Sequence, residues 1–387
     1  MSDELEARFD RQGREWRDPA QIVAQWAAAG EVDDRTLELK ATGAWWSVLE
    51  ATGATLIVSR EYEHLLLAIT AVARPRVTYM RIPHPSGIAF DRAGGKLYVA
   101  STRNPNQLFE FAPVVGTMPR GDARAKALRP ALPLVPTRTW YLPGCSYIHD
   151  LAMIGTRLHA NSVGQNVVVA LADGRAEPVW WPASIERRGA PRTDRNYIQL
   201  NSIAAGGDLS SSFFSASGER PGRLRPGHLD YPVDGRGVIY SGATREPVVR
   251  GLTRPHSARL HDNRLWVDNS GYGQFGFFLD RRFQPVATLP GWTRGLGFAG
   301  DVAFVGTSRV IPRFRQYAPG LNVDRSVCGI HAIDIRTGKL LGSLTFPSGD
   351  QIFAIEPVPS TWSNGFPFYA GSGLAAARSL FYAYRVD

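Results

Sequence analysis

Two of the chain's eight histidines hold the same place in two copies of one short phrase. His149 opens His149-Asp-Leu-Ala-Met and His256 opens His256-Ser-Ala-Arg-Leu. Each is followed by an apolar run that ends in Asn, Leu158-His-Ala-Asn161 and Leu265-Trp-Val-Asp-Asn269. Imidazole titrates near neutral pH, so a converging pair could serve as general acid and base on a substrate, with His149 and His256 as catalytic groups. As neutral ligands the same two could hold a divalent metal ion. Further copies place Ser86, Asn201 and Arg294 at the matching position. An Arg guanidinium there can grip a carboxylate or phosphate with two parallel hydrogen bonds, and an Asn amide can polarise a bound group. Asp150, directly after His149, either orients a ring histidine or bonds to a neighbouring strand.

The elements that must position these residues are short strands. The clearest phrase is Ser86-Gly-Ile-Ala-Phe, Gly94-Gly-Lys-Leu-Tyr-Val-Ala-Ser101, then Leu108-Phe-Glu-Phe: an apolar strand, a tight turn, a strand ending in a small polar residue, and a third strand. It returns at Asn201-Ser-Ile-Ala-Ala with Phe213-Phe-Ser-Ala-Ser217, and at Arg294-Gly-Leu-Gly-Phe with Ala303-Phe-Val-Gly-Thr307. The outer copies are Trp46-Ser-Val-Leu-Glu with Leu56-Ile-Val-Ser59, and Ile352-Phe-Ala-Ile-Glu with Phe368-Tyr-Ala-Gly-Ser372. A period of roughly 40 to 60 residues is that of a four-stranded propeller blade. The chain therefore reads as an all-β protein, a single β-propeller of seven blades, or six if Trp45–Glu50 is a helix.

Inner strands line the central channel, so the residues that open them should converge. For two histidines two blades apart, strand and sheet spacing gives Cα atoms on the order of 10 Å apart, within joint reach of two imidazoles. Arg103, Asn161, Asn269 and Arg309 end second strands on the same face, and Tyr147, Tyr272 and Trp292 flank the ring. With Ser86 they form the expected substrate-binding shell. Three insertions, 184–198, 218–234 and 309–327, fall where alternating strand direction puts them on that face, and 113–137 falls on the other. A crowded face over a channel mouth is where a propeller keeps its binding site.

Residues 1–33 read as a polar extension with a short helix from Asp18-Pro-Ala to Trp26, stopped by Gly30, and residues 34–387 as the propeller domain. The last repeat is short of a fourth strand. The strand-like segment Thr36–Lys40 is expected to supply it and close the ring, because an unpaired edge invites aggregation.

Composition narrows the function. The net charge is +9, carried by 40 arginines and four lysines. They are scattered without a helix-turn-helix, zinc-finger or RNP-type pattern, so an anionic small substrate or an acidic partner suits the positive field better than nucleic acid. No Walker A loop, GxGxxG, GxSxG or CxxCH occurs, which argues against phosphotransfer, nicotinamide chemistry, α/β-hydrolase catalysis and haem attachment. No apolar run is long enough to span a membrane and nothing resembles a signal peptide, so a cytoplasmic address is expected. Cys145 and Cys328 lack metal-ligand spacing and read as small buried apolar residues.

Several phrases together resemble an uncharacterised bacterial β-propeller family whose members are sometimes fused to tetratricopeptide repeats. They are Ile148-His-Asp-Leu-Ala, Arg250-Gly-Leu-Thr-Arg-Pro-His-Ser-Ala-Arg259, Arg264-Leu-Trp-Val-Asp-Asn-Ser-Gly271, Leu289-Pro-Gly-Trp-Thr-Arg-Gly-Leu-Gly-Phe298, Phe304-Val-Gly-Thr-Ser-Arg309 and Cys328-Gly-Ile-His-Ala-Ile-Asp334. The chain departs from that family at Gln199-Leu-Asn-Ser202, where His-Leu-Asn-Gly is usual, and at Asp350-Gln-Ile-Phe, where the family is more acidic. The resemblance implies a propeller and a shared His-Asp, Asn, His-Ser, Arg-Gly site, and it implies no reaction. Gluconolactonase-like metal hydrolases and strictosidine-synthase-like enzymes are looser analogies, and no carboxylate stands in register here to complete a metal set.

The resulting expectation is an enzyme that acts on a small polar or anionic metabolite at the channel mouth, by acid/base or metal-assisted hydrolase, lyase or tailoring chemistry. The competing reading is a binding propeller that uses the same face for a ligand or a protein. Two histidines and an amide are one ligand short of a usual zinc site, which tilts the cofactor expectation toward no metal.

Overall fold

Tight turns turn each phrase into a hairpin. Between Pro255–His261 and Arg264–Asn269 the chain reverses on Asp262 and Asn263, both with positive φ (47° and 57°), the two-residue turn whose twist matches paired strands. The computed structural model describes residues 20–120, 133–369 and 381–386, together with Ala7. In it the hairpins build six antiparallel sheets of four or five strands, beside two two-stranded ribbons. Four are four-stranded, opening with the inner strands Pro85–Asp91, Ile148–Ile154, Leu200–Ala204 and Pro255–His261. The fifth opens with Trp292–Ala299 and the sixth with Ala354–Pro359. Each inner strand packs on the next, and Ala354–Pro359 packs back on Pro85–Asp91, so the ring closes. The protein is a six-bladed β-propeller.

Six blades and not seven result because the two outermost phrases are halves of one blade. Ala354–Pro359 pairs antiparallel with Ala54–Arg60, which continues into Leu65–Thr70 and Arg76–Arg81. Trp46 therefore opens no inner strand. It lies on the helix Trp45–Thr52, which ends at Gly53 in a left-handed conformation (φ 62°) and hands the chain to the closing blade. Trp45 is fully buried there, edge-on to Phe304 at 5.8 Å.

The expected outer strand also lies elsewhere. Asp34–Leu37 is a single 3₁₀ turn, and the strand that follows, Lys40–Gly43, pairs with Leu340–Thr345 of the fifth blade. The outer edge of the closing blade is covered instead by Phe368–Tyr369, against Arg76–Arg81. Both edges are protected, by partners the sequence reading did not assign. The N-terminal helix is Gln21–Gly30 and docks on the first blade through Trp26, edge-on to Phe109 at 5.9 Å. Its proposed start at Asp18 and Pro19 lies outside the described residues.

The apolar core is divided among the blade interfaces. Ile148 and Leu151 pack with Ala89 and Leu108, Leu200 and Ile203 with Val168 and Trp180, and Ala258 and Val267 with Ile239 and Leu252. Trp266 packs with Leu296, Phe304 with Val58, and Ile57 with Ile88, which completes the circle. The polar residue that ends the second strand has a matching task at three of the interfaces. Ser59, Asn161 and Ser308 donate to the carbonyls of Ser86, Leu200 and Ile352, at 2.6, 2.9 and 3.0 Å, each on the neighbouring blade. At these three interfaces the terminal Ser or Asn supplies the donor that a backbone carbonyl at the start of the next inner strand needs.

Candidate functional site

Inner strands do not enter the ring mouth as straight ladders. Register breaks occur at Pro85/Ile88, Ile148/Leu151, Leu200/Ser202, His256/Arg259 and Thr293/Leu296. Such a bulge bends the strand and re-aims its side chains. Two glycines permit it. Gly295 has φ +85°, and a Cβ on Gly87 would stand 2.5 Å from the backbone of Asp150 on the next blade. The bulges separate His149 from Asp150, sending one side chain into the mouth and the other between blades.

Above the bulges lies a cavity of about 1080 Å³, into which all three expected insertions reach, through Arg195, Arg225 and Tyr317 among others. No described residue of 113–137 lines it. Of the residues singled out from sequence, His149, His256, Arg294, Arg103, Tyr147, Trp292 and Arg309 line this cavity. Asn201 sits just below, lining a chamber of about 10 Å³ together with His149, His256, Arg294 and Phe353.

The other nominated residues do not line the cavity. Asp150 is bound through both oxygens by Arg259, at 2.7 and 3.1 Å, and accepts the Ile203 and Leu151 amides. It is a blade-to-blade tie. Ser86 donates to Ile148 O at 2.9 Å across the blade interface. Asn161 accepts the amides of His149 and Asp150 at 3.0 and 2.6 Å and thereby fixes the bulge beneath His149. Asn269 is spent on Thr253 N and Gln274, and the Tyr272 hydroxyl on Asp234, outside the cavity. Cys328 is buried as expected, but Cys145 is exposed at the cavity edge.

Electrostatics at the floor are dominated by arginine. Arg103 is paired with Glu61 at 3.0 Å. Arg309 lies 3.9 Å from Asp350. Arg254 has no carboxylate partner among the described residues: it donates to Gln199 Oε1 and Pro226 O and stacks over Tyr317, 3.7 Å from the ring centroid. Burial lowers its pKa to about 10. Arg294 has neither a carboxylate nor a hydrogen-bond partner among the described residues. It lies over the face of Phe353 at 3.3 Å, and burial lowers its pKa too. Arg294 is half-buried at the cavity floor, so its uncommitted donors face the cavity and are open to a ligand there.

Both histidines are held neutral. Burial first, and then the charge of Arg294, pushes each well below the ordinary imidazole value. Nδ1 of His256 is 2.8 Å from Arg254 O, which can only accept, so the proton is on Nδ1 and Nε2 is the basic nitrogen. Both N–H groups of Asn201 are committed, to Ser217 Oγ and Pro255 O at 2.9 Å each. Its free Oδ1 can only accept, and against His149 it favours the protonated ring. Asn201 thus cannot polarise a substrate carbonyl by donation. His149 Nδ1 has no hydrogen-bond partner among the described residues.

A metal fits this set poorly. Among the described residues no group of three or more His, Cys, Asp or Glu is placed to hold one. The nearest carboxylate in sequence, Asp150, belongs to Arg259, and the Arg294 cation acts on both imidazoles and would repel a divalent ion.

Sequence reasoning missed Arg254, Glu61 and the aromatic run of the last insertion. Arg254 had a signal, since it stands two residues before His256 on the same strand entry. Ile311, Phe314 and Tyr317 are spaced by three across the 3₁₀ segment Pro312–Tyr317, the repeat that eclipses side chains in such a helix.

Fold and cavity together define a six-bladed propeller with an arginine-rich pocket at one mouth of its channel. Residues 43–364 match the DUF4915 family, a domain of unknown function, and the chain belongs to that family. No curated protein matches it in sequence. A chain of the nidogen/laminin complex superposes with a TM-score of 0.51 at 9% identity, covering 79% of this chain and 98% of that one. A protein of unknown function from Bacteroides caccae gives 0.48 at 9% identity, with 79% and 98% covered. A putative gluconolactonase gives 0.47 at 16% identity, with 81% and 88% covered. At these identities the likeness is one of fold alone. No helix of the described residues is long and apolar enough to cross a membrane.

Proposed function

We propose that the cavity is the active site of an enzyme that performs proton-transfer chemistry, of the lyase or hydrolase kind, on a small molecule carrying a carboxylate or phosphate. The observation that carries this reading is Arg294, half-buried beside two neutral histidines and held by no ion pair or hydrogen bond among the described residues, with Glu61 acting on it only at longer range. An anionic group in front of Arg294 would gain a charge-assisted, two-point contact and would neutralise the cation that depresses both imidazoles. The part of their depression that comes from Arg294 is then relieved as substrate binds, while the part that comes from burial persists. His256, with Nε2 basic, is placed to take a proton, and His149, backed by the Asn201 oxygen, to carry one. Arg254 adds positive potential, and Arg103, tied to Glu61, completes the floor. Buried titratable groups in a concave cavity support catalysis over a protein-docking role, which calls for a broad apolar patch.

Thermal melting of the purified protein against matched sets of small carboxylates, phosphate monoesters and amines tests this. At least one anion should raise the melting temperature, no amine should, and Arg294→Gln should abolish the rise. Turnover of a stabilising anion, followed by mass spectrometry, should vanish in His256→Asn with binding retained. Absence of any anion effect, or an effect indifferent to Arg294→Gln, overturns the reading.

A further inference from the structure

The cavity is far larger than an anionic group alone requires; about 1080 Å³ is at the upper end of pockets that enclose drug-sized ligands, roughly 300–1,000 Å³. Its lining is also divided. The floor carries Arg103, Arg254, Arg294 and the two histidines, whereas one wall is aromatic, two of its three rings coming from a single insertion. Pro312 starts a 3₁₀ helix in that insertion, and its three-residue repeat sets Phe314 over Tyr317, with ring centroids 5.4 Å apart and planes 26° from parallel. Trp292, from the adjoining inner strand, meets both rings, at 6.3 and 6.1 Å. Trp292 in turn lies 5.9 Å from the His256 ring, and Tyr317 carries Arg254 on its face. A continuous aromatic surface therefore runs from the basic histidine up to the rim, and Trp292 and Phe314 are both only partly buried, with surface left to offer a ligand.

From this division we infer the substrate class: an acid with a planar, aromatic body, its carboxylate or phosphate head at Arg294 and its ring against Trp292 and Phe314. The inference deepens the anion-binding reading above and rests on it. A planar body suits this wall because aromatic pairs at such spacings gain from offset or edge contacts beyond simple burial. It also explains why the chain spends a 19-residue insertion, 309–327, on one side of the mouth.

Calorimetric titration with phenylphosphonate and methylphosphonate separates the two claims. Phenylphosphonate should bind at least tenfold more tightly. Phe314→Ala should reduce that ratio to threefold or less while leaving methylphosphonate affinity unchanged, and Arg294→Gln should remove binding of both. Should Phe314→Ala not fold by circular dichroism, Phe314→Leu, which keeps apolar bulk but loses the ring, should narrow the ratio in the same direction. Equal affinity for the two phosphonates, or a ratio untouched at Phe314, overturns the aromatic class and leaves the anion site standing. Failure of both phosphonates to bind, or binding that survives Arg294→Gln, overturns both claims.

Discussion

The guanidinium of Arg294 lies 3.3 Å above the centroid of Phe353, and the ring of His149 meets the same phenyl group edge-on at 5.5 Å. One buried ring thus serves as a platform for a cation and an imidazole side by side. A π-face attracts the charge but accepts no conventional hydrogen bond, so the guanidinium donors stay available to a ligand.

Removing that charge should separate function from stability. Arg294→Met should leave the ligand-free melting temperature unchanged or higher, because a partly desolvated cation with no ion-pair or hydrogen-bond partner among the described residues is replaced by an apolar chain of similar length. Anion-dependent stabilisation should be lost. A ligand-free melting temperature that drops sharply would mean that Arg294 is an interblade tie.

Asp150 predicts the opposite. Its ion pair with Arg259 is bidentate, with the carboxylate buried and the guanidinium partly so, and Asp150→Asn leaves the Arg259 charge without that partner. Urea denaturation should show a loss of about 3–5 kcal/mol. The double variant Asp150→Asn/Arg259→Met should recover part of it, which a catalytic role for Asp150 would not predict.

Acid stability follows from His331. It is buried, its two ring nitrogens lie 3.0 Å from the Thr307 hydroxyl and 2.8 Å from the Ser343 hydroxyl, and burial lowers its pKa to about 4. The unfolded chain takes up this proton first. The stability that depends on neutral His331 is thus complete above about pH 6.5 and is lost as pH falls toward 4, a difference of roughly 3 kcal/mol. His331→Asn should flatten the stability curve in that window, measured by urea midpoints at stepped pH.

Glu356, on the inner strand of the closing blade, acts at the other end of the scale. Burial raises its carboxyl to about 7, against the pull of Arg259. The folded state holds this proton more tightly than the unfolded one, so the associated stability is present below about pH 4.5 and lost as pH rises through 7. Glu356→Gln should therefore make the protein more stable at pH 8 than the parent, with little difference at pH 4.

Trp45 should prove central to ring closure. It is wholly buried between the fifth and closing blades, and Trp45→Ala should cost about 3–5 kcal/mol by denaturant unfolding. A loss below 1 kcal/mol would mean that the helix Trp45–Thr52 is only a surface connection.

The sequence by itself determined the propeller, the insertion-rich face and the convergence of His149, His256 and Arg294, because a repeated strand phrase puts equal positions at equal places around a ring. It also showed that the phrases end in a small polar residue but assigned Asn161 and Asn269 to a substrate shell; only the structure shows Ser59, Asn161 and Ser308 bonded to the carbonyls of Ser86, Leu200 and Ile352. What the tertiary structure decided is pairing. Ala354–Pro359 and Ala54–Arg60 are some 300 residues apart, and nothing local says that they are one blade and not two. The bulge after His149 turns Asp150 toward Arg259 on a blade two positions on, a choice made by strand register and by the absence of room for a Cβ at Gly87. Likewise, that Arg103 has a carboxylate while Arg294 faces the cavity without one depends on which side chains the closed ring brings within about 4 Å, a distance over which Coulomb attraction and desolvation are decided by neighbours and not by residue type.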